Sequence, residues 1–157
     1  MMAPPSRIHQ KISGELFRQF AVFLQDKTCE VYAAPFAVRL FEEVGDRLEN
    51  VDTMLEPDIT IVCDSDKLDD IGCKGAPDMV IEILSPSTAR NDRIIKYQLY
   101  ERAGVREYWI VDPDTRIVNV HLLEDGRYHA PVAYTGKARI PVSIWPAFDV
   151  DLSMVFQ

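Results

Sequence analysis

The sequence lacks the usual signals of membrane insertion and of export. It contains no run of 18 or more apolar residues, which a membrane-spanning helix requires. Its first residues, MMAPPSRIHQ, also lack the charged and then apolar order of a signal peptide. We therefore predict a cytoplasmic protein.

The chain is also poor in cysteine and in recognisable catalytic signatures. Cys29, Cys63 and Cys73 form no C-x-x-C pair and have no histidine at zinc-ligand spacing, so we predict reduced thiols that fill the core. The G-x-S-x-G, P-loop and dinucleotide-binding patterns are absent, and the three histidines are scattered without triad-like companions. These absences argue against zinc sites, acyl transfer and nucleotide hydrolysis by those routes.

Basic residues are scarce relative to acidic ones. The chain has 17 Lys and Arg against 25 Asp and Glu, a formal net charge of −8. Affinity for a polyanion comes mainly from Lys and Arg that neutralise phosphates. A nucleic-acid role would therefore need a local basic patch or bound metal ions.

What the chain does contain is the composition of one folded domain. Of its 157 residues, 47% are apolar and 27% are charged, which is a globular balance. No internal repeat and no Gly/Ser-rich linker divides it. We predict a single domain over residues 1–157.

The hydrophobic pattern predicts helices and strands in mixed order. Helical spacing predicts a first helix over Ile8–Leu24, and signals at both ends predict a second over Asn91–Ala103. The predicted strands are Cys29–Ala34, Phe36–Phe41, Pro57–Cys63, Asp78–Leu84, Glu107–Asp112, Ile117–Leu123 and Tyr128–Tyr134. The tail, residues 140–156, is predicted to be irregular with at most a short strand. We expect an α/β or mixed α+β fold, with a central mixed β-sheet flanked by helices.

Two acidic residues lie in the most apolar predicted strands. Glu82 interrupts the run VIEILSPST, and Asp58 begins the strand before it. If these strands are antiparallel, a register that places Asp58 opposite Glu82 also pairs Ile61 with Met79. Two carboxylates at contact distance repel each other, so a cation should lie between them. Mg²⁺ held by both carboxylates and the backbone carbonyl of Ile83 would meet this need, and a metal-bound water can attack a phosphodiester.

A structural explanation of Glu82 stays open beside the metal site. A buried charge needs a partner in either case, and Arg93 or Lys96 could provide it. Lys96 follows Asp92 by four residues, which is also the spacing of an ordinary surface ion pair. The turn at residues 85–88 has the plain role of ending the strand and capping the next helix, with phosphate binding as the alternative.

Four blocks of sequence resemble the Uma family of restriction endonuclease-like proteins, within the PD-(D/E)XK nuclease superfamily. They are PD at 57–58, GAPDMVIEILSPST at 75–88, D-R-x-x-K-x-x-x-Y at 92–100 and AGVREYWIVDP at 103–113. The similarity runs from about Met2 to the C-terminus. The resemblance implies a restriction endonuclease-like fold and an endonuclease that hydrolyses phosphodiester bonds of DNA with Mg²⁺, or with Mn²⁺ in its place.

The same resemblance assigns roles to individual residues. It implies that Asp58 and Glu82 are catalytic metal ligands. The superfamily pattern places a lysine two residues after the second acidic residue, but Leu84 stands there. Related proteins supply this lysine from the following helix, and Lys96 is the matching residue. Its implied role is to position the attacking water or to stabilise the pentacovalent phosphate.

The start of the chain departs from the resemblance. Family members have a helix and a strand before a segment like MMAPPS, and that part often supplies a further acidic residue, for which Glu15 is the candidate substitute. A sheet edge left uncovered would favour self-association, so we expect a homodimer. Together with Leu84 and the net charge of −8, this start motivates one alternative, a catalytically inactive binding or scaffold protein that retains the nuclease fold. A second alternative is a metal-dependent hydrolase of smaller substrates, which is compatible with an acidic surface and the same ligands.

Overall fold

The computed structural model describes residues 4–42, 53–86 and 90–157. Its α-helices are α1 (Arg7–Phe23), α2 (Arg90–Ala103) and α3 (Leu152–Val155), and a 3₁₀ turn covers Ser65–Lys67. The strands are β1 (Glu30–Ala33), β2 (Ala37–Arg39), β3 (Met54–Leu55), β4 (Ile59–Val62), β5 (Gly72–Lys74), β6 (Met79–Ile83), β7 (Glu107–Asp112), β8 (Ile117–Glu124), β9 (Arg127–Tyr128), β10 (Val132–Thr135), β11 (Arg139–Pro141) and β12 (Asp149–Asp151).

The largest sheet of the described residues has the strand order β1-β4-β6-β7-β8-β10, and β9 pairs with one end of β8. β6 and β7 are parallel, whereas the other neighbours in this sheet are antiparallel. A parallel pair needs a crossover connection, which α2 provides. Smaller sheets are formed by β3-β2-β5 and by β11-β12. This mixed sheet with flanking helices confirms the predicted fold class.

The two longer helices cover opposite faces of the central sheet. On α1, the side chain of Ser6 caps the helix, and Ile12, Leu16 and Phe20 follow one another at four-residue spacing and are buried against one face. On α2, Tyr100 is fully buried against the other face. Every residue of β4 and β6 is buried, which explains why their sequences are nearly continuous apolar runs.

Three predictions of local structure differ from the fold. The predicted strand at residues 128–134 is split into β9 and β10, because Pro131 between them has no N–H to donate to a ladder. The predicted loop between the two central strands contains β5, which pairs in parallel with β2. The tail forms β11, β12 and α3 instead of an irregular segment, with Ile140 and Val150 paired across the two strands and fully buried.

The prediction of reduced cysteines is wrong for two of the three. Cys29 and Cys63 form a disulfide, whereas Cys73 is free and buried. The antiparallel pairing of β1 with β4 sets Glu30 opposite Val62, and one further step along both strands brings the two bonded cysteines face to face. A pairing between positions 34 residues apart leaves no short-range spacing pattern in the sequence.

Some predictions are not tested by the fold. The predicted cap formed by Ser87 and Thr88 lies outside the described residues. No helix in the described ranges is both long and apolar enough to cross a membrane. β1 and β10 are the two outer strands of the largest sheet, and the homodimer stays a prediction.

Candidate functional site

The two carboxylates predicted to meet lie side by side at the end of the β4–β6 pair. β4 and β6 are antiparallel, with Ile61 opposite Met79 as predicted, and one step beyond the last pair places Asp58 opposite Glu82. Each carboxylate accepts a hydrogen bond from a backbone N–H of the neighbouring strand segment. The backbone N–H of Asp58 donates to Oε1 of Glu82 (3.3 Å), and the backbone N–H of Ile83 donates to Oδ2 of Asp58 (2.7 Å).

Lys96 reaches this pair from α2. Its Nζ lies 3.0 Å from Oε2 of Glu82 and 3.4 Å from Oδ2 of Asp92. From the sequence, Lys96 was expected either to pair with Asp92 at the surface or to contact Glu82. In the structure it does both. Arg93, the other predicted partner of Glu82, makes no ion pair with it and lines a neighbouring cavity. Tyr100, which no prediction from the sequence included, donates its hydroxyl hydrogen to Oε2 of Glu82 (3.3 Å).

Burial and charge act in opposite directions on these groups. Burial raises the pKa of Glu82, while the nearby Lys96 ammonium acts to lower it and Asp58 to raise it further. For Lys96, burial acts to lower the pKa, but the charges of Glu82 and Asp92 outweigh this and raise it. Burial and the Glu82 carboxylate hold the pKa of Tyr100 well above its usual range. Lys96 is therefore a cation, and Tyr100 a neutral donor, at neutral pH.

His9 completes the site from α1, although in the sequence it is one of three scattered histidines. Its Nε2 lies 3.2 Å from Oδ1 of Asp58, and its side chain is only 12% exposed. The hydrogen bond with Asp58 raises the pKa of His9 against the opposing effect of burial, and the backbone of Ile83 acts in the same direction as Asp58. Glu15, the candidate acidic substitute, is not brought to the carboxylates. Its oxygens instead accept hydrogen bonds from Arg18 and Gln19.

The donor set of the site fits a hard divalent cation. Mg²⁺ prefers oxygen ligands and is commonly held by one or two carboxylates, with waters and phosphate oxygens completing the shell. Asp58 and Glu82 offer two carboxylates on adjacent strands, next to the backbone of Ile83. Among the residues that the structure describes, no group of three or more His, Cys, Asp or Glu side chains could hold a metal ion. A cation at Asp58 and Glu82 would take most of its remaining ligands from water or phosphate oxygens.

Comparison with known proteins gives the family. The family model described as "Uma2: Putative restriction endonuclease" matches residues 1–153. The chain belongs to the Uma2 family. This confirms the resemblance drawn from the four sequence blocks, and residues 57–58 and 75–113, which carry those blocks, lie within the matched range.

A solved structure supports the fold of this Uma2 member. It is described as a "putative nuclease belonging to DUF820 from Anabaena variabilis ATCC 29413" and superposes with a TM-score of 0.75 at 18% sequence identity. The superposition covers 99% of this chain and 84% of that one. No curated protein matches the chain. At this level of identity, the likeness shows the fold alone.

Proposed function

We propose that this Uma2 member is a Mg²⁺-dependent endonuclease that hydrolyses phosphodiester bonds of DNA. The observation that carries the proposal is the convergence of Asp58, Glu82 and Lys96 at the end of the β4–β6 pair, with Lys96 Nζ 3.0 Å from Glu82 Oε2. Two carboxylates and one ammonium group in contact provide both ligands for a cation and a donor for a phosphate oxygen. The family description supports the same class of activity.

Each residue has a defined task in this proposal. Asp58, Glu82 and the backbone carbonyl of Ile83 would hold the cation, which when bound polarises the phosphate and makes its water ligand a stronger nucleophile. Lys96 would hydrogen-bond the attacking water or donate to the phosphate oxygen on which charge accumulates. His9 binds Oδ1 of Asp58 while the N–H of Ile83 binds Oδ2, so the Asp58 carboxylate is fixed in orientation before substrate arrives.

A catalytically inactive binding or scaffold protein is the second candidate. It is favoured by the contacts that Glu82 already makes with Lys96 and Tyr100. A buried carboxylate with a cation and a hydroxyl donor needs no metal to be tolerated in the fold. The net charge of −8 and the leucine at position 84 point in the same direction.

Cleavage and metal binding separate the two candidates. Labelled single- and double-stranded DNA would be incubated with the parent protein and Mg²⁺ or Mn²⁺, next to Glu82→Ala, Lys96→Ala and a matched control, Lys137→Ala, at an exposed lysine. The endonuclease predicts cleavage by the parent and by the control, with loss of activity in the other two variants. Calorimetry should show Mn²⁺ binding to the parent that Glu82→Ala weakens.

Two outcomes would reject the endonuclease. One is no Mn²⁺ binding together with no cleavage by the parent, as the scaffold candidate predicts. The other is cleavage that survives in Glu82→Ala, since such activity would come from another site or from a contaminant. A panel of small phosphodiesters under the same conditions would identify a hydrolase of smaller substrates.

A further inference from the structure

A cavity of about 550 Å³ lies at the end of β6 that carries Glu82, and none of the roles proposed above uses it. It is bounded by the start of α1, the chain just after β6 and β7, the first turns of α2 and the end of the chain. β6 and β7 are parallel, and the cavity lies beyond their carboxyl ends. Crevices at the carboxyl ends of parallel strands are the usual ligand sites of α/β sheets, and the volume is in the range of small-molecule pockets.

The cavity lining includes close sequence neighbours of two proposed catalytic residues. Leu84, which lines it, follows Glu82 by two residues on β6 and the chain beyond it. Arg93, which also lines it, precedes Lys96 by three residues on α2, and residues at this spacing lie on the same side of a helix. A chain molecule with one phosphate at Lys96 would therefore have its next units beside Arg93.

The charge of the cavity lining is opposite to that of the whole chain. Lys11, Arg93 and Arg116 line it against Asp112 and Asp114, whereas acidic residues outnumber basic ones 25 to 17 overall. Oδ1 of Asp112 is already engaged, because it accepts the backbone N–H groups of the turn that follows β7 (2.9 and 3.4 Å). The lining therefore has a small excess of positive charge, three basic side chains against two acidic ones, within an acidic protein, and positive charge is what attracts a polyanion.

The two arginines are available to a ligand. Both are exposed and come from different elements, Arg93 from α2 and Arg116 from the turn between β7 and β8. Neither guanidinium forms an ion pair or a side-chain hydrogen bond with another residue in the described ranges. Lys11, by contrast, donates to the backbone oxygen of Gln157 (3.1 Å). Guanidinium groups present donors in a planar fork that matches phosphate oxygens.

We propose that this cavity is the subsite for the nucleotide next to the cleaved bond, with Arg93 and Arg116 binding its phosphate. The subsite rests on the proposed endonuclease function, because that function makes a polynucleotide strand the ligand. In duplex DNA each strand carries a phosphate about every 3.4 Å along the helix axis, and Arg93 precedes Lys96 by about 4.5 Å along α2, so a phosphate at Lys96 would have its neighbours near Arg93.

The test measures binding without catalysis. A labelled single-stranded DNA oligonucleotide would be titrated by fluorescence anisotropy in EDTA at a series of salt concentrations. The proteins are the parent, Arg93→Ala, Arg116→Ala, the double alanine variant, a double lysine variant at the same positions and the control Arg127→Ala. Arg127 is an exposed arginine on β9 that does not line the cavity.

Each arginine that binds a phosphate should contribute about 0.7 to the slope of log affinity against log salt. We expect each single variant to lose about that amount, the double alanine variant about twice as much, and the lysine variant and Arg127→Ala to keep the parent slope. A double alanine variant with the parent slope, or a parent that does not bind the oligonucleotide, would overturn the subsite. A parent that binds through both arginines but cleaves nothing would reject the endonuclease alone, whereas cleavage with an unchanged slope would reject the subsite alone.

Discussion

Replacing Lys96 by methionine tests how far the ion pair with Glu82 stabilises the fold. The two groups are 3.0 Å apart, and their side chains are 28% and 10% exposed. Their attraction is about 5 kcal/mol at an effective dielectric constant of about 20, much of it offset by desolvation. Removing one partner of a buried pair costs about 3–5 kcal/mol, and the partial exposure of Lys96 reduces this. We expect Lys96→Met to lower the free energy of unfolding by about 2–4 kcal/mol at neutral pH.

This loss should depend on pH in a defined direction. Without Lys96, burial and the charge of Asp58 both still raise the pKa of Glu82, and nothing of similar strength opposes them. A carboxyl group whose pKa is higher in the folded than in the unfolded state favours folding when protonated, and this contribution is lost as the pH rises through the folded pKa. The difference in stability between the variant and the parent should therefore be small in mild acid and should grow toward alkaline pH.

Urea unfolding, followed by the fluorescence of Trp109 and Trp145, would measure this difference at about pH 5.5 and about pH 8. Lys137→Met is the control, since this lysine is exposed and outside the site. The double variant Glu82→Gln with Lys96→Met should lose the pH-dependent part of the deficit. An equal deficit at both pH values would refute the reasoning, because it would mean that the methionine acts through packing and not through the charge of Glu82.

Two further predictions concern the fold. A Cβ at Gly72 would lie 2.0 Å from the carbonyl oxygen of Ala37, so we expect Gly72→Ala to lower the free energy of unfolding by about 2 kcal/mol or more. Gly14→Ala, in the open middle of α1, should instead raise it by about 0.5–1 kcal/mol, and urea unfolding of both variants checks the contrast. The disulfide between Cys29 and Cys63 closes a separation of 34 residues, so unfolding with reductant should show a loss of about 3–4 kcal/mol. Equal stability with and without reductant would contradict that role.

The sequence predicts best the long elements and the strands that are buried on both faces of the sheet. β7 has the predicted bounds, and the bounds of α1 differ from the predicted ones by one residue at each end. These elements have six and seventeen residues, which is enough for the spacing of apolar residues to show a strand or helix period. β3, β5, β11 and β12 have only two or three residues each, too few to show alternation. Such strands exist because a distant segment pairs with them, as Ala37 on β2 pairs with Gly72 on β5.

The site was predictable to the extent that strand geometry defines it. Alternation along two neighbouring strands leads to the register that joins Asp58 and Glu82, and the structure has that register. His9 could not be found in this way, because its contact with Asp58 depends on where α1 lies on the sheet. Tyr100 did leave a signal, since it closes the block D-R-x-x-K-x-x-x-Y four residues after Lys96 and therefore lies on the same side of α2.

The position of Tyr100 also explains how α2 brings Lys96 to Glu82. Tyr100 is fully buried against the face of the sheet from which Glu82 projects, so its packing fixes which side of α2 faces the carboxylate. Lys96 lies one turn earlier on that side, and both side chains meet the same oxygen, Oε2 of Glu82 (3.0 and 3.3 Å). Position 84, just after β6, is two residues from Glu82, and residues two apart along a strand point to the same face. Glu82 therefore has a cationic partner from α2 although position 84 is a leucine, and the buried tyrosine keeps that partner in place.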